Sequence, residues 1–152
     1  MGANECYAYF EIRSAGHMEV EAGYIAEPDS DFDPDYITKK LGIQPHRTMR
    51  MSAARENGIG EYPCSSWVFQ PEPEEDDPTQ CMSIVNALKD KTPLLREIYK
   101  ELNVSFAIQV HAYMGVNDFG AIPCFGFDHE IIDFCYETYT EIGLLFQVYP
   151  KE

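Results

Sequence analysis

Between Val104 and Met114 the chain reads VSFAIQVHAYM, and Val104, Phe106, Ile108, Val110, Ala112 and Met114 alternate with Ser105, Gln109, His111 and Tyr113. Successive side chains of a strand point to opposite faces, so this run predicts a strand with one buried face, long enough to lie inside a sheet. Such a strand needs neighbours to pair with its backbone and an apolar layer to cover its inner side.

Neighbours are available. CYAYFEIRS (6–14) sets Ala8, Phe10 and Ile12 against Tyr7, Tyr9, Glu11 and Arg13. After a short SAGH turn, HMEVEAGYIAE (17–27) sets Met18, Val20, Ala22 and Tyr24 against Glu19 and Glu21, which predicts a hairpin with the first strand. CSSWVFQ (64–70) puts Trp67 and Phe69 on one face and Ser66 and Val68 on the other. IGLLFQVY (142–149) alternates Ile142, Leu144, Phe146 and Val148 with Gly143, Leu145, Gln147 and Tyr149, and so is apolar on both sides.

The covering layer is helical. Asp33 is placed to cap a helix whose first residue is Pro34, where the missing N–H costs nothing. Ile37 and Leu41 share one face of it, Lys39 and Lys40 complement its negative end, Gly42 supplies a positive φ, and Pro45 prevents continuation. Asp77 and Pro78 repeat the start signal before Cys81, Ile84, Val85 and Leu88, which fall at helical spacing. KTP (91–93) interrupts or restarts that helix, with Thr92 as cap and Leu94, Leu95, Ile98 and Leu102 as its apolar set. Asp128 is a third cap, ahead of Ile131, Ile132, Phe134, Cys135 and Tyr139, with Gly143 after the end. The stretch from Thr48 to Tyr62 is polar and irregular, and PEPEEDDP (71–78) is a proline-flanked acidic loop.

The expected architecture is a single α+β domain over residues 1–152, a two-layer sandwich. Its sheet is mainly antiparallel with about five strands, and its helices lie on one face. FDPDYI (32–37) echoes FDHEII (127–132), each opening a helix after a strand and a loop. Either a strand–helix–strand pseudo-repeat or chance similarity of helix caps accounts for that echo.

The segments AYFEI, FDPDYITKKLGIQPHRT and SSWVFQ together resemble the bacterial domain-of-unknown-function 4279 family. The carrying residues are Ile37-Thr38, Leu41-Gly42-Ile43, Pro45 and Ser66-Trp67. The resemblance implies an α/β fold and no established activity.

Composition narrows the chemistry. Eleven Lys and Arg against 26 Asp and Glu give a net charge of −15. That field repels phosphate backbones and anionic lipid heads, which argues against nucleic-acid and membrane partners. Five cysteines without a C-x-x-C pair signal neither a disulfide framework nor a zinc site, and point to thiols in a reducing compartment. No leader-like start and no membrane-length apolar run occur, so a cytoplasmic protein is expected. Gly2 raises myristoylation, but Cys6 stands where that motif wants Ser or Thr.

His17, His46, His111 and His129 form no metal-ligand or hydrolase spacing, and no phosphate-cradling loop is present. Neither a catalytic residue, nor a metal, nor a cofactor is indicated. His111, with Gln109 and Tyr113, makes a polar stripe along its strand.

Two functional readings follow. An acidic, motif-free domain fits a non-enzymatic binding protein, of the kind by which an immunity protein inhibits a cationic toxin. Its partner surface would be Glu72, Glu74, Glu75, Asp76 and Asp77. Alternatively His46, Arg47, Arg50, Arg55 and Trp67 would clamp an anionic small molecule, as binder or enzyme, since guanidinium forks pair carboxylates and phosphates bidentately. Homo-oligomer formation through the edge strand LLFQVY is a further expectation.

Overall fold

In the computed structural model, residues 4–14, 31–51, 64–74, 76–77, 79–115 and 126–149 are described. In chain order they form β1 (Asn4–Ser14), α1 (Pro34–Leu41), β2 (Arg47–Met49), β3 (Ser66–Phe69), α2 (Cys81–Leu88), α3 (Thr92–Glu101), β4 (Val104–Gly115), α4 (His129–Thr138) and β5 (Thr140–Tyr149). A 3₁₀ turn over Lys89–Lys91 joins α2 to α3. The sheet order is β2-β3-β1-β4-β5, antiparallel at every pairing except β4 with β5, which is parallel. This is the α+β sandwich with a mainly antiparallel sheet that the alternation implies.

The registers explain why one face is dry. Phe10 lies opposite Ile108, Ile12 opposite Phe106 and Trp67, and Val110 opposite Leu144, so the even-numbered positions of β1 and β4 look toward the helices. Ala8, Phe10, Ile12, Phe106 and Ile108 are fully buried there against Ile37, Leu41, Ile84, Leu88, Leu95, Ile98 and Phe134. Each such aliphatic or aromatic side chain removed from water contributes about 1.5–3 kcal/mol, which offsets the entropy of ordering the elements.

Asp33 does cap α1, its carboxylate accepting from the Asp35 N–H at 3.0 Å, and Gly42 ends the helix at φ 68°. Lys40 does more than complement the dipole. It bridges Glu97 at 3.0 Å and Glu101 at 2.9 Å on α3, tying the two helices together. The Glu101 hydrogen bond, followed by that of Glu97, raises its pKa. Glu101 is held low by the Tyr36 hydroxyl first and Lys40 second.

Several expectations need correction. The α2 helix starts at Cys81, because Gln80 takes a left-handed conformation at φ 67°. The Asp77 carboxylate nonetheless reaches in to accept from the Ser83 N–H at 2.7 Å and hydroxyl at 2.6 Å. Thr92 is the first residue of α3 rather than its cap, and its hydroxyl donates back to the Lys89 carbonyl. Asp128 occupies the N-cap of α4 without a side-chain bond, and the helix ends at Tyr139, φ 59°, so that β5 begins at once. Ile132 and Tyr139 are exposed, because the buried stripe of α4 runs Ile131, Phe134, Cys135, Thr138.

The short strand β2 falls in the stretch read as irregular. Three edge residues carry too little alternation to register as a strand. The segment 17–27, expected to complete a hairpin, lies outside the described residues. Gly143 sits within β5, where Gln109 lies across it; a Cβ there would stand 2.1 Å from Gln109 Oε1.

The echo between the two halves has a topological counterpart. Strand β2 is antiparallel to β3, which is antiparallel to β1, so β1-α1-β2 is a parallel strand–helix–strand unit split by β3. In β4-α4-β5 the parallel strands are adjacent.

Candidate interaction surface

Of the residues expected to clamp an anion, the four described, His46, Arg47, Arg50 and Trp67, do not converge. Trp67 is fully buried on the helix side, its indole N–H donating to Thr38 Oγ1 at 3.0 Å. Arg47 lies opposite Val68, whose neighbour is Glu11, and so points to the other face of the sheet. Arg50 pairs with Asp31 at 3.3 Å and Asp33 at 3.6 Å. His46 is exposed and its backbone N–H donates to the Val68 carbonyl at 2.7 Å. Arg55 lies outside the described residues.

What surrounds Trp67 is a structural lock. Asp31 accepts from the Ser65 hydroxyl and from Arg50, in that order of influence, and its carboxyl is held below its ordinary range. Ser65 Oγ also accepts from the Met51 N–H at 2.9 Å, while the Ser65 N–H donates to Ser14 Oγ at 3.0 Å. Ser66 Oγ donates to Glu11 at 3.0 Å. Ser65, Ser66, Trp67 and Thr38 thus join β3 to β1 and α1.

The acidic run at 72–77 is similarly committed at one end. Asp77 caps α2, and Glu74 accepts from Asn86 Nδ2 at 3.0 Å while its own N–H donates to Ser83 Oγ at 2.9 Å. Glu72 and Asp76 are exposed, and Glu75 lies outside the described residues.

Opposite the helices, the polar stripe of Gln109, His111 and Tyr113 on β4 lies beside Tyr7 and Tyr9 of β1. The His111 ring stacks on Tyr7, centroids 4.9 Å apart, and on Tyr9 at 5.3 Å. Its Nε2 meets the Tyr9 hydroxyl at 3.2 Å, and its Nδ1 is buried without a hydrogen-bond partner. Burial lowers the His111 pKa. The hydrogen bond to Tyr113 and then burial push the Tyr7 phenol up to about 12. His111, Tyr7 and Tyr9 are thus shifted toward their neutral forms and packed against one another.

Among the described residues no three His, Cys, Asp or Glu side chains gather as a metal would require, and no helix is long and apolar enough to cross a membrane. Burial raises the thiol pKa of Cys6, Cys64 and Cys81, and that of Cys135 to about 11, opposite to what a nucleophilic thiolate needs.

The surface feature that stands out lies elsewhere. Nine large apolar side chains are exposed among the described residues, and seven of them, Ile132, Tyr136, Tyr139, Leu144, Leu145, Phe146 and Val148, belong to α4, its C-cap and β5. On α4, Ile132 and Tyr136 are four apart on the outer face, and Tyr136 is 84% exposed. Glu130, Asp133 and Glu137 run beside them at spacings of three and four and line a shallow cleft with Lys89 and Thr92. A signal for this was present in the sequence, since acids at 130, 133 and 137 share a helix face.

A family model described as a domain of unknown function, DUF4279, matches residues 4–149. The chain belongs to the DUF4279 family. No curated protein and no solved structure matches it. Three of the residues that carry the resemblance, Thr38, Ser66 and Trp67, belong to the lock between α1, β1 and β3 and so secure the fold.

Proposed function

We propose that this DUF4279 domain is a non-enzymatic, acidic protein-binding module whose partner is a cationic protein, in the manner of a bacterial cytoplasmic immunity protein that masks a basic toxin. The reading is supported by the outer face of α4, where an 84% exposed Tyr136 and a half-exposed Ile132 stand beside Glu130, Asp133 and Glu137. Tyrosine is enriched among binding hot spots, and a net charge of −15 steers a cation toward the acidic face beside it. The docking surface is thereby moved from the 72–77 loop, where Asp77 and Glu74 already serve α2, to α4.

The test is capture from a native lysate of the source organism at low and high salt. The wild-type chain is compared with Tyr136→Ala and with the triple variant Glu130→Gln, Asp133→Asn, Glu137→Gln. A basic protein retained by the wild type, released by salt and lost with both variants supports the reading. Retention that ignores both variants, or no salt-released basic protein at all, overturns it. The anionic-ligand alternative through Arg47, Arg50 and Arg55 has less support, since Arg50 is engaged by Asp31 and Asp33.

A further inference from the structure

We propose that the cleft between α3 and the C-terminal end of α4 is a binding site for a small monocarboxylate with an aromatic body. This goes beyond the protein-binding reading of α4 and does not rest on it, although Tyr136 stands at the edge of both surfaces. The cleft has a volume of about 390 Å³, and Arg96, Tyr136, Tyr139 and Thr140 line it with Cys135 and Glu137. Small-molecule sites run from roughly 300 to 1,000 Å³, with apolar walls and a few placed polar groups. Arg96 is the polar group here. It is half-buried and makes no ion pair among the described residues. Its guanidinium donates instead to two neutral acceptors, the Glu137 carbonyl at 3.2 Å and the Tyr139 hydroxyl at 3.3 Å. These bonds fix the planar fork and leave N–H donors unspent, in the geometry that pairs with a carboxylate.

The backbone at Tyr139 serves the same end. Its φ of 59° lies in the left-handed region, where helix ends commonly carry glycine. A tyrosine at this position brings its ring 5.4 Å from the Arg96 guanidinium and stacks it on Tyr99, centroids 4.8 Å apart. Tyr99 in turn meets the buried Phe106 edge-on. Contacts running out from the core thus place Arg96 before a ligand arrives, which lowers the ordering cost of binding.

Two sources of negative potential oppose an anion, and neither decides the matter. At the end of α4 the carbonyls of Phe134, Cys135 and Glu137 already accept from Thr138 Oγ1, the Tyr139 N–H and Arg96. The helix dipole there amounts to about half a charge, less than the full charge of the guanidinium. The net charge of −15 is screened over about 8 Å at physiological salt. It repels a ligand in proportion to the ligand's own charge, which favours a monocarboxylate over a phosphate or a nucleotide. The tyrosine rings take the aromatic body, with the outward-facing Tyr136 closing against it.

Titration of the full chain with phenylacetate, followed by amide NMR, tests this. Saturable shifts are expected around Arg96 and over residues 136–140. Phenylacetamide has the same shape without the charge and should bind at least about tenfold more weakly, because charge-assisted hydrogen bonds are lost. Arg96→Gln should weaken phenylacetate by a similar factor, and Arg96→Lys, which keeps the charge but not the fork, should fall between that variant and wild type. Lys39→Gln makes the same change of charge at an exposed position on α1 and should leave the affinity within about twofold of wild type. Circular dichroism checks that each variant is folded, and the comparison of the two probes on the wild type carries the test if Arg96→Gln is not. The proposal is overturned by an absence of saturable shifts in the cleft, by equal affinity for the two probes, by a folded Arg96→Gln that binds phenylacetate as the wild type does, or by an equal loss in Lys39→Gln.

Discussion

At one margin of the sheet β2 offers Arg47, Thr48 and Met49, the first two exposed, and the strand behind it is fastened by Trp67 to α1 and by Ser65 to Asp31 and Ser14. At the other margin β5 runs for ten residues and exposes Leu144, Leu145, Phe146 and Val148. Short, charged edge strands are the usual protection against stray pairing, and β2 has that protection while β5 lacks it. The contrast teaches that stability and accessibility are divided between the two ends of one sheet. The β2 end holds the fold together, and the β5 end carries exposed apolar side chains.

Substitutions at the two margins should therefore differ most in stability. Trp67→Ala removes the largest fully buried side chain and the Thr38 hydrogen bond, and should cost about 3–5 kcal/mol in urea denaturation. Phe146→Ala, at a half-exposed position, should cost less than about 1 kcal/mol. Equal losses at both sites would remove the distinction. Asp31→Ala, which breaks the bonds to Ser65 and Arg50, should cost about 1 kcal/mol, since the pair is partly solvated. The sign with pH is fixed by its lowered folded pKa. The stability Asp31 contributes is present above its unfolded value of 3.8 and is lost as pH falls through the folded value, so the variant should differ from wild type at neutral pH and converge with it in acid.

Legibility from sequence followed the strength of the local signal. The alternation in β1 and β4 and the Asp-Pro start of α1 each carry their own periodicity or cap, and these elements are where the residues placed them. The three-residue β2 has no such pattern, and its existence depends on β3 being beside it. The arginines after α1 drew attention as a cluster, yet a strand sends neighbouring side chains to opposite faces, so Arg47 and Trp67 could not meet once β2 paired with β3. The opposite happened at α4. Ile132 and Tyr139 read as part of the apolar side of α4 and Tyr136 is not singled out, and only the 100° step from Ile131 shows which residues face the core.

The smallest expected effect lies between the margins, on the face opposite the helices, where β4 sets His111 against Tyr7 of β1 on one side and Leu145 of β5 on the other. Among the described residues the ring is stacked and bonded toward β1, and its buried Nδ1 has no hydrogen-bond partner. Burial lowers its pKa, so below the unfolded value of 6.5 the unfolded chain takes up a proton that the folded chain refuses. The wild type should accordingly lose stability as pH falls from 6.5 through the folded value. His111→Phe keeps the stack, gives up the Tyr9 hydrogen bond and removes the unpartnered nitrogen, two changes of opposite sign that should leave stability at pH 7 within about 1 kcal/mol of wild type. What should change is the slope: urea denaturation of His111→Phe between pH 7 and pH 5 should show a flatter dependence than wild type. An unchanged slope would mean that the ring takes up its proton in the folded chain as readily as in the unfolded one, and that the stripe beside β5 is as open to water as the edge itself.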